Sequence, residues 1–433
     1  MMLGIDFGTS NSAAALVAPG GELMAIPLDA GKTSMPTALF FSNEDGHVAY
    51  GSAAMQAYLS GTDGRLMRSI KSLLGSSLMD EQTLVNGKLT SLFEVVVMFL
   101  QEIKARTEKH LGYSVSSAML GRPVHFVDDD AARDQLAQDT LERAAIAAGF
   151  TEVQFQLEPI AAAFDFERRV KADTTVLVVD IGGGTSDFTV IQVGPGRYAA
   201  TDRSRDLLAT TGVHLGGTDF DRLLHLENAM PLLGLGHVGP SGRPMPSSMF
   251  FDLSTWHLIQ QCYGRGRIAQ AQDMRSDYKD RALHDRLMLV LEERLGHQLL
   301  ATTEAAKIEC SVSDQPVQLD LSTLGLAGAV GMTPQGMHDV LRSTLGQVVA
   351  CAHECVRQAG VGLPQVVYLT GGSSALTPLQ AAVQDAFAGA EVVVGDRFGS
   401  VAAGLAYGAS ALRASAALKP GSTGKRAKSL AVA

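Results

Sequence analysis

Tryptophan occurs once in these 433 residues, cysteine four times, and aromatic residues make up only 6% of the chain. Four cysteines (Cys262, Cys310, Cys351 and Cys355) are too few to staple a chain of this length. A disulfide scaffold is therefore excluded, and buried thiols in a reduced compartment are expected. In CAHEC, Cys351 and Cys355 stand at i and i+4 with His353 off that helical face, a poor start for a metal site. Long uncharged apolar runs are also missing. The most hydrophobic window, SLFEVVVMFLQEI, carries acidic residues and is too short to span a bilayer. Positive charge is in deficit: 35 Lys and Arg face 45 Asp and Glu, a net charge of −10. That balance argues against nucleic acid as the main partner. No basic segment followed by an apolar stretch precedes LGIDF, so a soluble cytoplasmic protein without membrane contact is expected.

The chain does have ample apolar material, 46% of its residues, spread over a length too great for one ordinary core. Two or more domains are expected. Apolar spacing predicts a helix over 90–110 and another over 129–149, the latter capped by aspartates and ended by Gly149. VQFQLEP (153–159) reads as a short strand entering a turn. Residues 251–309 are charged and helix-rich, and 365–387 reads as strand, double-glycine turn, helix. From about 414 the sequence is small and basic (Lys419, Lys425, Arg426, Lys428, with Pro420), which predicts a disordered tail.

Two glycine patterns are decoys. AGKTS at 30–34 imitates the end of a phosphate-binding P-loop, but Ile26 stands where the loop's first glycine belongs. GLGHVG at 234–239 is followed by Pro240 and opens no helix, as a dinucleotide fingerprint must. Two other corners differ. LGIDFGTSNSAAALV near the start is echoed by VLVVDIGGGTSDFTVI near the middle: an aspartate ends an apolar run, then come glycine, hydroxyl residues and a second apolar run. Glycine lets successive backbone N–H groups converge on a phosphate. An aspartate beside phosphate makes sense when a divalent cation sits between them. Asp6 with Gly8, Thr9, Ser10 and Asn11, and Asp180 with Gly182, Gly183, Gly184 and Thr185, thus read as two jaws around a Mg²⁺–polyphosphate. The bland alternative is two tight hairpins without a ligand. A third turn, LTGGSSALTPL, would let a flat nucleoside approach the backbone at Gly371, Gly372 and Ser373; alone it is an ordinary strand-to-helix turn.

DFGTSNSAAAL, DIGGGTSDFTVI, EPIAAAFDF, GVHLGGTDFDRLL, YLTGGSSALTPLQ and SVAAGLAYGA occur in the order found in the actin-like ATPase superfamily. Together they most resemble the ATPase domain of heat-shock chaperones of the 70-kDa class. The resemblance implies an α/β chain with two lobes, duplicated ribonuclease-H-like cores and ATP or ADP with Mg²⁺ in a central cleft. Lobe I would comprise 1–172, with a small subdomain at about 36–110, completed by about 395–412. Lobe II would comprise 173–394, with a helical subdomain at about 218–303, and 413–433 would form the tail. The resemblance further implies that Lys71 reaches toward the γ-phosphate and that Glu158 orders magnesium waters. Asp180 and Thr185 would act near metal and γ-phosphate, with Asp6 and Asp180 on the metal side. Gly216 and Gly217 would pass beside the phosphates, and Glu304, Lys307 and Ser311 would form the nucleoside edge. Ile308 and Ala375 stand where the family usually has arginines that hold adenine. No β-rich peptide clamp follows SVAAGLAYGAS, so a short relative similar to the YegD-like group is expected.

Phosphoryl transfer to water needs positioning and charge neutralisation more than covalent chemistry. The expected activity is slow, Mg²⁺-dependent ATP hydrolysis coupled to lobe opening, with Asp180 or Asp187 and Thr185 orienting the water. The rival readings are a small-molecule kinase of the same superfamily, and a non-hydrolysing nucleotide sensor or filament former. In any of these, the helical insertions offer a surface for a protein partner.

Overall fold

A computed structural model describes the chain except residues 86, 128–129, 169, 196, 198–202, 327–329, 397–398 and 418–433. The basic residues of the expected tail, from Lys419 onward, lie outside the described residues. The last helix is Ser400–Ala417, so the described chain is still helical beyond residue 413, as its run of alanines favours.

Period-two apolar patterns in the two echo segments produce two β-hairpins, and each sits in its own sheet. The first sheet runs Glu152–Leu157, Ser117–Arg122, Met2–Phe7, Asn11–Val17, Leu23–Ala25, with Ser34–Pro36 also paired to Asn11–Val17. The second runs Glu391–Val394, Val366–Thr370, Thr174–Ile181, Ser186–Val193, Leu207–Val213. The topology is the same in both. A hairpin continues antiparallel on one side, and two strands pair parallel on the other. This is the mixed α/β, doubled architecture of the actin-like ATPase fold.

Alternation along the strands decides what each sheet faces. Leu3, Ile5, Phe7, Ala14 and Leu16 pack outward with Val95, Phe99, Leu141 and Ala144 of helices Leu92–Leu111 and Ala131–Ala147. Leu177, Val179, Phe188 and Val190 pack on the far side with Phe220, Leu341 and Leu379. Val176, Val178, Ile191 and Val366 instead face Ala161, Ala162, Leu405 and Ala409. On the first sheet Ala13 and Ala15 meet Ala402 and Ala406. Helices Glu158–Glu167 and Ser400–Ala417 therefore form a shared layer between the two sheets. Burying each large aliphatic side chain in these layers contributes roughly 1.5–3 kcal/mol. The shared layer is built from small residues, and at Gly404 a Cβ would lie 1.8 Å from the Ala161 carbonyl oxygen. Phe164 and Tyr407 stack at 5.7 Å further along.

Helix ends follow local chemistry. Ser91 and Glu94 form a reciprocal capping box, and the Asp130 side chain accepts from the Arg133 N–H. GLGHVG is not a nucleotide loop; after Gly234, with φ +116°, the next helix does not begin until Ser248. Four helices between Ser248 and Glu292, together with Gly296–Ser313, extend from the second sheet. Cys351 and Cys355 lie in helix Pro334–Gln358, and none of the four cysteines is bridged. Among the described residues no helix is long and apolar enough to cross a membrane.

Candidate functional site

The two echo corners have the same register. Asp6 pairs with Ala13 and Phe7 with Ser12; Asp180 pairs with Asp187 and Ile181 with Ser186. Both corners thus consist of the four residues between the paired positions, 8–11 and 182–185. Both first aspartates emerge on the face toward the shared helix layer. The tips meet: a Cβ on Gly183 would stand 2.0 Å from Ser10 Oγ. A side chain at Gly183 would have to displace the Ser10 hydroxyl.

Neighbouring backbone locks each corner. Thr37 donates its N–H to the Ser10 carbonyl at 2.9 Å and its hydroxyl to the Gly8 carbonyl at 2.8 Å. At the second corner the N–H groups of Gly217 and Thr218 reach the Gly182 and Gly183 carbonyls at 3.0 and 2.7 Å. Gly216 is squeezed against the Gly183 carbonyl, where a Cβ would stand 2.7 Å away. Gly371, at φ +85°, packs its backbone against Asp180, and a Cβ there would lie 2.4 Å from a carboxylate oxygen. Ser373 donates its hydroxyl to the Gly182 carbonyl at 3.4 Å. Gly372 begins the short turn that follows. The third glycine turn therefore belongs to the same locality as the second corner.

Charge converges on the same place. Lys71 Nζ lies 2.7 Å from Glu158 Oε1, with 10% and 14% of the two side chains exposed. Glu158 begins one helix of the shared layer, where the helix dipole favours an acid. Thr185 donates its hydroxyl to Asp187 at 2.9 Å. Burial, then the Glu158 charge, pushes Asp6 up to about 7, with Lys71 opposing. Burial, then Asp187, Glu158 and Asp6, raises the Asp180 carboxyl well above its ordinary value. Burial works against the Lys71 charge, but Glu158, Asp6 and Asp180 together outweigh it and raise its pKa. Three carboxylates, Glu158, Asp6 and Asp180, thus share one lysine, and Asp187 adds its charge at Asp180.

Such crowding calls for a further positive charge, and an all-oxygen donor set suits a hard cation. Among the described residues no group of three or more His, Cys, Asp or Glu could hold a metal by itself. A magnesium ion here would be carried by Asp6 and Asp180 mainly through water and phosphate oxygens, its usual habit. The residues fit that group on these terms.

The linkage has a definite sign. Asp6 goes from 3.8 unfolded to about 7 folded, so the folded state binds the extra proton between those values. Its contribution to stability is full below about pH 4 and is lost as pH rises through about 7. In metal-free urea titrations, the stability difference between wild type and Asp6→Asn should therefore fall over that window. A pH-independent difference would refute the burial of the Asp6 charge.

The nucleoside-edge residues are arranged differently. Glu304 is exposed and Ser311 spends its hydroxyl on the Lys307 carbonyl at 2.8 Å. Lys307 is held at 2.7 Å by Asp221 of helix Gly217–Asn228, the helix that starts at the second corner. Ile308 is 49% exposed on the same stretch, whereas Ala375 is buried. Thr9, Asn11 and Gly184 are placed in the corners by the chain alone. Asp221 and Thr37 were not singled out from sequence. Asp221, four residues after Gly217 in GGTDFD, is the one a helix-face argument could have found. A hollow of about 680 Å3 lies outside these groups, between helices Ser52–Leu59 and Gly296–Ser313; Gln56, Leu59, Thr302 and Ala305 are among its walls, and the corner residues are not.

Residues 2–228 match the profile of the family described as Hsp70 protein. Over 224 residues the chain is 34% identical to the chaperone protein DnaK of Thermosipho melanesiensis. That match covers 51% of this chain and 34% of the relative, about a third of its length. The profile match contains both corners, Lys71, Glu158, Gly216, Gly217 and Asp221, and ends before Glu304, Lys307, Ser311 and Gly371.

Proposed function

Since the chain belongs to the Hsp70 family, we propose that it is a Mg²⁺-dependent ATP-binding switch that hydrolyses ATP slowly. The observation that carries this reading is the meeting of the two equal-length corners, with Asp6, Asp180, Glu158 and Lys71 gathered beside them. Corner amides and the Lys71 ammonium would hold the terminal phosphoryl oxygens. Glu158 keeps Lys71 charged and aimed inward. Asp187 fixes the Thr185 hydroxyl, and that pair with Asp180 would orient the attacking water. The chemistry magnesium supplies when bound is neutralisation of charge on the phosphates. Ser10 and Gly183 touch, so a phosphate between the tips would have to part them; binding and movement of the two sheets would then be one event.

Calorimetric titration with ATP, ADP and GTP, with and without magnesium, tests the reading, alongside measured phosphate release. Tight binding should require magnesium. At pH 7 binding should also release a fraction of a proton from Asp6, visible as a dependence of heat on buffer ionisation. Absence of magnesium-dependent nucleotide binding would remove the reading. Binding without phosphate release would leave a nucleotide sensor.

A further inference from the structure

Strand Gly64–Arg68 pairs with strand Ala38–Ser42, Arg68 opposite Ala38. Arg68 therefore stands beside Thr37, the residue that locks the first corner. Ser69 follows with φ 58°, ψ 31°, a left-handed conformation that costs a non-glycine residue of order 1–3 kcal/mol. This turn separates the directions of two cations. Lys71 points inward to Glu158, while the Arg68 guanidinium crosses to the other side of the molecule and lies 4.4 Å from the centre of the Trp256 ring. Beside it, Tyr58 and His297 make a second crossing contact: hydroxyl to Nδ1 is 3.2 Å, and the rings meet edge-on at 5.0 Å. The Glu304 and Asp221 carboxylates draw on the same guanidinium, against the burial that lowers its pKa. Asp221 is the carboxylate that holds Lys307.

We propose that Arg68 is a positioning residue of the nucleotide site, donated across the cleft, which fixes the Glu304–Lys307–Asp221 edge against the first half and slows nucleotide release. The inference rests on the nucleotide-switch reading above. Arg68 does not touch the phosphate groups in this scheme; it acts through Trp256 and the acids around Lys307. A lysine there would keep the charge but lose the flat face that stacks on the indole.

The test is the dissociation rate of fluorescent N-methylanthraniloyl-ADP from wild type, Arg68→Met and Arg68→Lys, in magnesium. Arg68→Met is expected to release the nucleotide roughly tenfold faster, the size of one desolvated cation–π contact, and Arg68→Lys to recover part of the difference. The rate of ATP cleavage in a single turnover should change less than twofold, since Lys71, Asp180 and Thr185 are undisturbed. If wild type binds no nucleotide, the functional reading itself falls and this inference with it. If wild type binds and Arg68→Met releases at the wild-type rate, only the inference falls. If cleavage slows by as large a factor as release quickens, with no recovery by lysine, Arg68 is merely structural and the inference is overturned as well.

Discussion

Replacing Asp180 with asparagine is expected to abolish phosphate release while leaving the protein folded. The Asp180 carboxyl is half-buried, lies with Asp187, Glu158 and Asp6, and is already driven toward its neutral form. Asparagine resembles that neutral form in size and shape, so metal-free stability should hold or rise slightly as like-charge repulsion is relieved. The reaction needs the anion, either to carry metal waters or to orient the attacking one. A single polar group of this kind accounts for about a hundredfold or more in rate. Phosphate release and the urea midpoint, measured on the same preparation, separate the two effects. Full activity in the variant would remove Asp180 from the chemistry, and a collapse of the midpoint would show that its role is structural.

A comparable loss, in stability rather than rate, is expected for Gly404→Ala. The added carbon would stand 1.8 Å from the Ala161 carbonyl oxygen and 2.5 Å from its carbon, both backbone atoms that cannot swing away. The two helices of the shared layer would have to part, at a cost of roughly 1–3 kcal/mol or more. Gly408→Ala, one turn further along, is the control. Its nearest neighbour would be the Met119 sulfur at 3.7 Å, an ordinary contact. In a helix alanine is favoured over glycine by about 0.5–1 kcal/mol, so that variant should match or exceed wild type. Urea midpoints that do not distinguish the two variants would mean that the helices do not cross at Gly404. Because these helices separate the sheets that carry the corners, Gly404→Ala should also weaken nucleotide binding.

The corners were legible because their chemistry is local. Four residues, an aspartate and two apolar flanks describe a hairpin tip completely, and the repeat of that description doubles its weight. The equal register of Asp6–Ala13 and Asp180–Asp187 was implicit in the same strings, and it shows where the echo breaks: an alanine in one copy, an acid in the other. Lys71 was different. Nothing in SIKSLLG alone tells a cleft lysine from a solvated one, and only the family resemblance singled it out. Arg68 and Asp221 went unread because their partners, Trp256 and Lys307, come from segments far along the chain. A charged residue on a strand end or helix face carries no local sign of what will be folded against it. Ser311 illustrates the converse: a hydroxyl in the right motif is already engaged by its own helix. The capped helices and the alternating strands were plain, since propensity and period act over short windows.

The indole that receives Arg68 has a use of its own. It is the chain's sole tryptophan, and it stands at the seam between the two sides. Ultraviolet emission of the native protein therefore arises chiefly from one spot, with a guanidinium over the ring and an imidazole meeting it at 71°, 4.7 Å between centres. Separation of the seam would expose that chromophore to water and free it from both neighbours, so its colour and intensity register the event without a dye.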